Sequence, residues 1–301
     1  MELKETLANF ATVIEDEPMK FHTSMRTGGK VKYYITPDSI EELLEVIKIL
    51  KENNEKFMVL GRGSNTIFPD YDMDLSIISI KDTIDYLDID GDKVRVGAGY
   101  AMQKLAKKVS KQGLSGLEFA GGIPGTIGGC VYMNAGAHTQ EIKDIVLYVK
   151  TIDGDGIIKE YKNEECKFSY RHSIFQENGE VIIEVGLQFS KRDPAEVFKR
   201  MTGNLAYRKE LQPLELPSCG SVFKNPPNNH AGVLIERAGL KGMSVGGAQV
   251  STKHANFIVN NHEATSKDVI KLRDMVVSEI KKQFGIELTS EIRVLEGIDA
   301  R

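Results

Sequence analysis

The segment Gly61-Arg62-Gly63-Ser64-Asn65 is the first place where this sequence could do chemistry. It follows an apolar run, Phe57 to Leu60. Its glycines let backbone N–H groups converge on an anion, while Ser64 and Asn65 add side-chain hydrogen bonds. An ordinary tight turn has the same composition. No Rossmann G-x-G-x-x-G occurs here or at Gly97-Ala98-Gly99, and there is no P-loop. A second run, Gly121-Gly122-Ile123-Pro124-Gly125-Thr126-Ile127-Gly128-Gly129 followed by Met133-Asn134-Ala135-Gly136-Ala137, is longer and denser in glycine than a turn needs. Backbone there must adopt unusual dihedral angles or close against a ligand. A glycine-rich structural corner is the competing reading. Two anion cradles in one domain suit a ligand with a diphosphate and a long body.

Three polar side chains stand in contexts that could hold or move charge. Arg171, in Tyr170-Arg171-His172-Ser173-Ile174-Phe175, carries the planar donor fork that fits a carboxylate. The same residue at a strand end is commonly a surface arginine. Ser221, in Ser218-Cys219-Gly220-Ser221-Val222-Phe223, could project its hydroxyl from a bend, or could simply bond its own backbone. No G-x-S-x-G elbow surrounds it, which disfavours a hydrolase nucleophile. Alternation in Leu288 to Val294 puts Leu288, Ile292 and Val294 on one face and Glu291 and Arg293 on the other, as a solvated strand face also would. The six histidines are scattered without H-x-x-x-H or H-E-x-x-H, and no C-x-x-C links Cys130, Cys166 and Cys219, so neither a metal site nor a disulfide framework is expected.

The elements that must position these residues alternate along the chain. Ser39 and Glu42 form a capping-box signature ahead of a helix whose Ile40, Leu43, Leu44, Ile47 and Leu50 share one face. Strands are expected at Phe57–Leu60 and Leu75–Ile80, and a hairpin over Ile84–Ala98 turns at Asp90-Gly91. Met102 to Gln112 reads as a helix closed by Gly113. Strands follow near Ile145–Ile152, Gly156–Tyr161 and Val181–Phe189, and Asp193-Pro194 opens a helix to about Lys209 at a domain junction. Beyond it the sequence predicts a short helix near Val233, a strand at Asn256–Asn260, a helix over Lys267–Phe284 and a strand at Glu287–Leu295.

At 301 residues the chain exceeds one comfortable core, and 41% apolar with 27% charged residues is ordinary for a folded protein. A net charge of -4 argues against a nucleic-acid partner, which needs a concentrated basic field. The N-terminal segment lacks an apolar stretch long enough for a signal peptide, and no stretch approaches a membrane span, so a cytoplasmic protein is expected. Nothing sets an oligomeric state; a monomer suffices.

In order along the chain, GRGSN, GLEFAGGIPGTIGG, MNAGA, Tyr170-Arg171-xx-Ile174-Phe175, Gly220-Ser221-Val222-Phe223-Lys224-Asn225-Pro226 and Ser290-Glu291-Ile292-Arg293 resemble the UDP-N-acetylenolpyruvoylglucosamine reductases. The resemblance runs from about Thr23 to Glu296. It implies an α+β chain: a vanillyl-alcohol-oxidase/PCMH-type FAD-binding fold in two subdomains, 1–75 and 76–193, plus a C-terminal α+β substrate-binding domain, 194–301. It further implies non-covalent FAD across Gly61–Asn65, Gly97, Gly99 and Gly121–Gly136, including Gly121, Gly122, Ile123, Pro124, Gly125, Thr126, Gly128, Gly129, Asn134, Ala135 and Gly136. NADPH would be co-substrate. His138 follows the second loop, but the resemblance implies no covalent histidyl link. The short span between Arg171 and Ser221 resembles the subtype without a tyrosine-bearing loop over the substrate, so no loop tyrosine is assigned.

The implied chemistry is hydride addition to an electron-poor alkene, then protonation of the adjacent carbon. Arg171 would hold the carboxylate, Ser221 would donate the proton and Glu291 would face the enolic carboxylate. Tyr170, Lys224, Asn225 and Arg208 would contact the UDP-sugar. One alternative is an FAD oxidase of the same fold acting on an alcohol or sugar, which leaves Ser221 and Glu291 without a role. Another is a catalytically silent flavin- or nucleotide-binding module, which leaves all three without one.

Overall fold

The computed structural model describes residues 2–295. Met1 and residues 296–301 lie outside the described residues, among them Glu296, where the resemblance ends, and the end of the expected third domain. A four-stranded sheet comes first, in the order Thr12–Pro18, Lys30–Thr36, Met73–Ser79, Phe57–Leu60. The first pair is antiparallel and the other two are parallel. Parallel pairing needs a crossover, and the helix Ile40–Glu52 supplies it between Lys30–Thr36 and Phe57–Leu60. Its buried face is Leu43, Val46, Ile47, Ile49 and Leu50. Half of the expected capping box forms: Ser39 accepts from the Glu42 N–H, but the Glu42 carboxylate reaches back to the Asp38 N–H, one residue further than the motif requires.

The second sheet is antiparallel, in the order Ile158–Lys162, Val146–Ile152, Val181–Gln188, Lys93–Gly97, Leu87–Asp90. Its hairpin pairs Asp90 with Lys93, so the two turn residues are Gly91, at φ +62°, and Asp92. The two sheets share one core, in which Ile35, Leu50, Ile78, Val96, Leu105, Val149 and Val185 are buried together. The expected subdomains 1–75 and 76–193 therefore pack as one hydrophobic unit.

The third sheet orders Ser218–Ser221, Phe257–Asn260, Ala248–Val250 and Ser244–Val245, covered by the helix Ser266–Phe284. The helix Pro194–Leu211, capped by Asp193, packs instead on Met102–Lys111 and on the turn Glu118–Gly122. Its packing thus lies with the first two sheets. The expected strand over Glu287–Leu295 is reduced to Arg293–Val294, which pairs in parallel with Thr66–Ile67 just after the first glycine loop, and to a single bridge between Ser290 and Phe223. The chain end is drawn onto two partners in different parts of the fold, so no continuous ladder forms.

Two further links tie the third sheet to the first. The Asp70 carboxylate accepts the Ser266 and Lys267 N–H groups at 2.8 and 2.9 Å, capping the long helix from across the junction. Ser24 Oγ donates to the Ser218 carbonyl at 2.6 Å.

Candidate active site

A single long cavity runs between the sheets and carries both glycine loops and all three polar candidates. Met58, Leu60, Ile80 and Ile182 give it apolar walls. Arg62, Arg171, Glu180, Arg208, Glu291 and Arg293 supply its charge. An apolar slot with a few charged side chains suits a planar, charged ligand.

The first loop is open to a ligand. Among the described residues, the N–H groups of Arg62, Gly63, Ser64 and Asn65 donate to no protein acceptor, leaving four consecutive donors beside the cavity. The second loop is closed on itself to a large extent. Ile123, Gly125, Ile127 and Gly128 donate to the carbonyls of Ala120, Ile123, Tyr100 and Ala98, and Gly129 donates to Thr126 Oγ1. Of the two expected anion cradles, the first is free and the second offers shape more than donors.

The expected cofactor residues divide accordingly. Gly61, Arg62, Gly63, Ser64, Asn65, Ile123, Pro124, Gly125, Thr126, Gly128, Gly129, Ala135 and Gly136 line the cavity. Gly97 and Gly99 do not: a Cβ there would lie 2.3 Å from the Ile84 carbonyl and 1.9 Å from the Ile80 carbonyl. Their missing side chains make room for protein backbone. Gly121 and Gly122 are likewise absent from the lining, closed by Met201 and by the Arg208 side chain. Asn134, wholly buried at φ +41°, spends its amide on the Ser169 carbonyl and the Lys143 N–H. It braces the loop.

Arg171, Ser221 and Glu291 line the same cavity although 120 and 70 residues separate Glu291 from the other two. Arg171 Nε donates to Glu291 Oε1 at 2.6 Å, and Nη2 donates to the Gly136 carbonyl at 3.0 Å. The side chains are 17% and 16% exposed, so the pair is largely removed from water. Arg171 sits at φ +57°, a left-handed conformation that a non-glycine residue holds only under constraint. Ser221 ends its strand after Gly220, at φ +76°, and its hydroxyl has no protein partner among the described residues.

The expected substrate residues lie partly beside this centre. Arg208 lines the cavity. Its Nε is buried without a partner, and burial lowers its pKa from the usual value. Tyr170 stacks under the Arg171 guanidinium at 4.9 Å, and its hydroxyl accepts the Asn225 N–H. Asn225 Oδ1 caps the helix Ala231–Arg237 through the Ala231 N–H. Lys224 is half-buried, with its N–H on the Thr289 carbonyl. None of Tyr170, Lys224 and Asn225 lines the cavity itself. His138 is exposed and outside the lining, its ring 5.8 Å from that of Tyr207.

Two lining residues carried no expectation of a role. Arg293 projects into the cavity and over the Tyr132 ring at 5.1 Å. Its signal was present in the alternation that put it on Glu291's face. Gln212 Oε1, like Arg62 Nε and Arg208 Nε, is buried without a partner. Three orphaned polar atoms in one apolar slot are what a cavity shaped for a polar ligand shows, because protein alone would not leave them unpaired. The residues present fit FAD.

The comparisons agree with the geometry. Residues 31–162 match the family model for an FAD binding domain. This fold and site define a flavoprotein with the vanillyl-alcohol-oxidase/PCMH-type FAD fold, of α+β class. Residues 212–295 match the C-terminal domain of UDP-N-acetylenolpyruvoylglucosamine reductase, which starts where the helix Pro194–Leu211 ends. Reductases of that name from Bacillus velezensis and Bacillus subtilis are 42% and 40% identical, over 95% and 98% of this chain and 94% and 97% of theirs. The crystal structure of UDP-N-acetylenolpyruvylglucosamine reductase from Thermus caldophilus superposes with a TM-score of 0.81 at 33% identity, covering 95% of this chain and 99% of that one. The chain belongs to the UDP-N-acetylenolpyruvoylglucosamine reductase family.

Proposed function

We infer that this chain reduces the enolpyruvyl group of UDP-N-acetylglucosamine enolpyruvate to give UDP-N-acetylmuramate, with FAD as cofactor and NADPH as reductant, in the synthesis of peptidoglycan precursors. The observation that carries the site assignment is the 2.6 Å Arg171–Glu291 pair, which lines the same cavity as Ser221 and both glycine loops. Bound FAD supplies the hydride relay, from NADPH to the terminal carbon of the alkene. The chain's own groups do the rest.

The open amides of Arg62 to Asn65 and the unpaired guanidinium edge of Arg208 hold phosphate charge. Arg171 takes the carboxylate of the enolpyruvyl group, whose negative charge grows as hydride adds to the methylene carbon. A preorganised guanidinium held between Glu291 and the Gly136 carbonyl needs no reorganisation to meet that charge. Ser221 Oγ, free of protein partners among the described residues, donates its proton to the carbon beside the carboxylate, completing addition of one hydride and one proton. Glu291 sits against the enolic carboxylate and fixes Arg171 before the substrate arrives. Arg293, two residues on from Glu291, lines the same cavity.

Among the described residues no helix is long and apolar enough to cross a membrane, and the three cysteines are buried and free, as a reducing compartment favours. We place the reaction in the cytoplasm, where its small-molecule partners are made.

The test is spectroscopic. Purified protein should carry flavin that acid precipitation releases. Anaerobic NADPH should bleach it, and the enolpyruvyl sugar should restore its absorbance with one equivalent of product. Failure of the sugar to restore colour, with oxygen consumption on simple alcohols or sugars, would favour an oxidase instead.

A further inference from the structure

Beside Arg171 stands a second carboxylate, Glu141, with no part in the reduction described above. Gly136–Ala137 and Gln140–Glu141 form a two-stranded hairpin in which Gly136 pairs directly with Glu141. Its turn residues, His138 and Thr139, both have positive φ, +51° and +64°. A two-residue turn of this hand is normally built from Asn and Gly, so the hairpin is held by what surrounds it. Both members of the Gly136–Glu141 pair reach the same guanidinium. The Gly136 carbonyl accepts from Nη2 at 3.0 Å, and Glu141 Oε1 lies 3.8 Å from Nη1. With Glu291 on Nε, all three nitrogens of Arg171 face an acceptor.

Glu141 is not a surface charge. Its side chain is 18% exposed, matching Arg171 and Glu291, so its charge is felt across short distances with little screening. Lys143 Nζ holds its other oxygen at 2.7 Å, and the ion pair raises the Lys143 pKa. Gly136 is part of the arrangement: a Cβ there would fall 2.5 Å from the Gln140 carbonyl and 2.8 Å from Glu141 Cγ, displacing the carboxylate. The charged groups around the guanidinium are thus Glu291, Glu141 and, behind Glu141, Lys143. Asp144 is turned to the Glu141 N–H, and Arg293 lies on Glu291's own segment.

We propose that Glu141 is a positioning residue for the enolpyruvyl reduction, holding the third edge of the Arg171 guanidinium while Glu291 yields its share to the incoming carboxylate. The proposal rests on the assignment of Arg171 and Glu291 above. An arginine with one partner swings when that partner is shared. One with a second anion and a carbonyl behind it keeps its fork aimed. Lys143 limits how strongly Glu141 competes with the substrate for the same cation.

Two substitutions with opposite expected effects test this, each read in two ways. Substrate affinity is read from the shift of the oxidised flavin spectrum on titration with the enolpyruvyl sugar. The reduction step is read by stopped-flow reoxidation of prereduced enzyme. Glu141→Gln should slow reoxidation about 10-fold, since aim is lost. Its substrate affinity should be unchanged or higher, because a competing anion is gone, and flavin reduction by NADPH should be unaffected. Lys143→Met should weaken substrate affinity several-fold, because Glu141, now without its lysine, takes more of Arg171. The double variant should return to the affinity of Glu141→Gln, since Lys143 acts only through Glu141.

If both single variants weaken affinity, or if both half-reactions slow together, the hairpin is only structural and the proposal is overturned. Arg171→Lys separates the layers. If it keeps the full reoxidation rate, the assignment of Arg171 itself fails. If it loses rate while Glu141→Gln matches the unaltered protein, only the role of Glu141 fails.

Discussion

Asn65 grips the backbone just after the Glu291 side chain: its Nδ2 donates to the Glu291 carbonyl at 3.1 Å, and its own carbonyl accepts the Arg293 N–H at 2.9 Å. The last residue of the first glycine loop is thereby fastened to the segment that carries the acid and Arg293. With the parallel pairing of Thr66–Ile67 to Arg293–Val294, it couples the position of the first glycine loop to that of Glu291 and Arg293.

Asn65→Ala removes the side-chain half of that grip and leaves the backbone half. One neutral hydrogen bond contributes about 1 kcal/mol. Reoxidation by the enolpyruvyl sugar should slow about 3- to 10-fold while flavin reduction by NADPH changes less. Stopped-flow measurement of both steps checks this. Equal slowing of the two would make Asn65 a flavin ligand alone.

The glycines of the second loop make different predictions. A Cβ at Gly125 would meet Cys130 Sγ at 3.0 Å and Ser64 Oγ at 4.0 Å, whereas one at Gly128 would meet Ala98 Cβ at 2.9 Å and the Ala98 carbonyl at 3.2 Å. Gly125→Val should cost FAD retention while leaving the apoprotein folded, because its side chain would intrude on the cavity. Gly128→Val should cost stability, on the scale of about 1–3 kcal/mol for overpacking, as well as flavin. Thermal denaturation with and without added FAD distinguishes them. Identical flavin occupancy in Gly125→Val and unaltered protein would show that the loop is only a corner.

Burial pushes the thiols of Cys130, Cys166 and Cys219 up to about 12. Their folded pKa lies above the ordinary value of 9.0, so the stability they contribute is full below that value. It is lost as pH rises from about 9 towards 12, while the unfolded chain ionises first. The urea midpoint should fall between pH 7 and pH 10. The fall should shrink when all three are replaced by Ala, with half-buried Tyr148, also raised to about 12, accounting for part of the remainder. Iodoacetamide should leave the folded protein unlabelled at pH 8, because thiolate is the nucleophile. Labelling of Cys130 or Cys219 in the folded state would contradict the burial of both.

Periodicity located the helices at Ile40–Glu52, Met102–Lys111 and Ser266–Phe284 because their apolar faces and caps are local signals. The site was legible mainly through motif order. Arg171, Ser221 and Glu291 come from three distant segments, and only the fold brings them together. Gly97 and Gly99 lie against the Ile84 and Ile80 carbonyls, and a glycine that admits a neighbouring carbonyl has the same letter as one that admits a phosphate. Arg293 was on the expected face, but nothing in alternation separates a cavity from solvent. Glu141 gave no local signal, because its meaning arises from the hairpin that pairs it with Gly136. The strand expected over Glu287–Leu295 failed where residues 290 and 293–294 were claimed by different partners.

Protonation by Ser221 of the carbon beside the carboxylate, after hydride has been delivered, is tested most directly by Ser221→Ala. Stopped-flow absorbance of the flavin reads the two half-reactions separately in one sample. Reduction by NADPH needs no proton at that carbon and should stay near the rate of the unaltered protein, with FAD retained. Reoxidation by the enolpyruvyl sugar should slow by about 10²- to 10⁴-fold, the scale of a lost general acid, chiefly in kcat. Ser221→Cys should recover part of it, since a thiol also donates a proton. If Ser221→Ala slows the NADPH step as much as the sugar step, the hydroxyl is structural and the proton comes from another group.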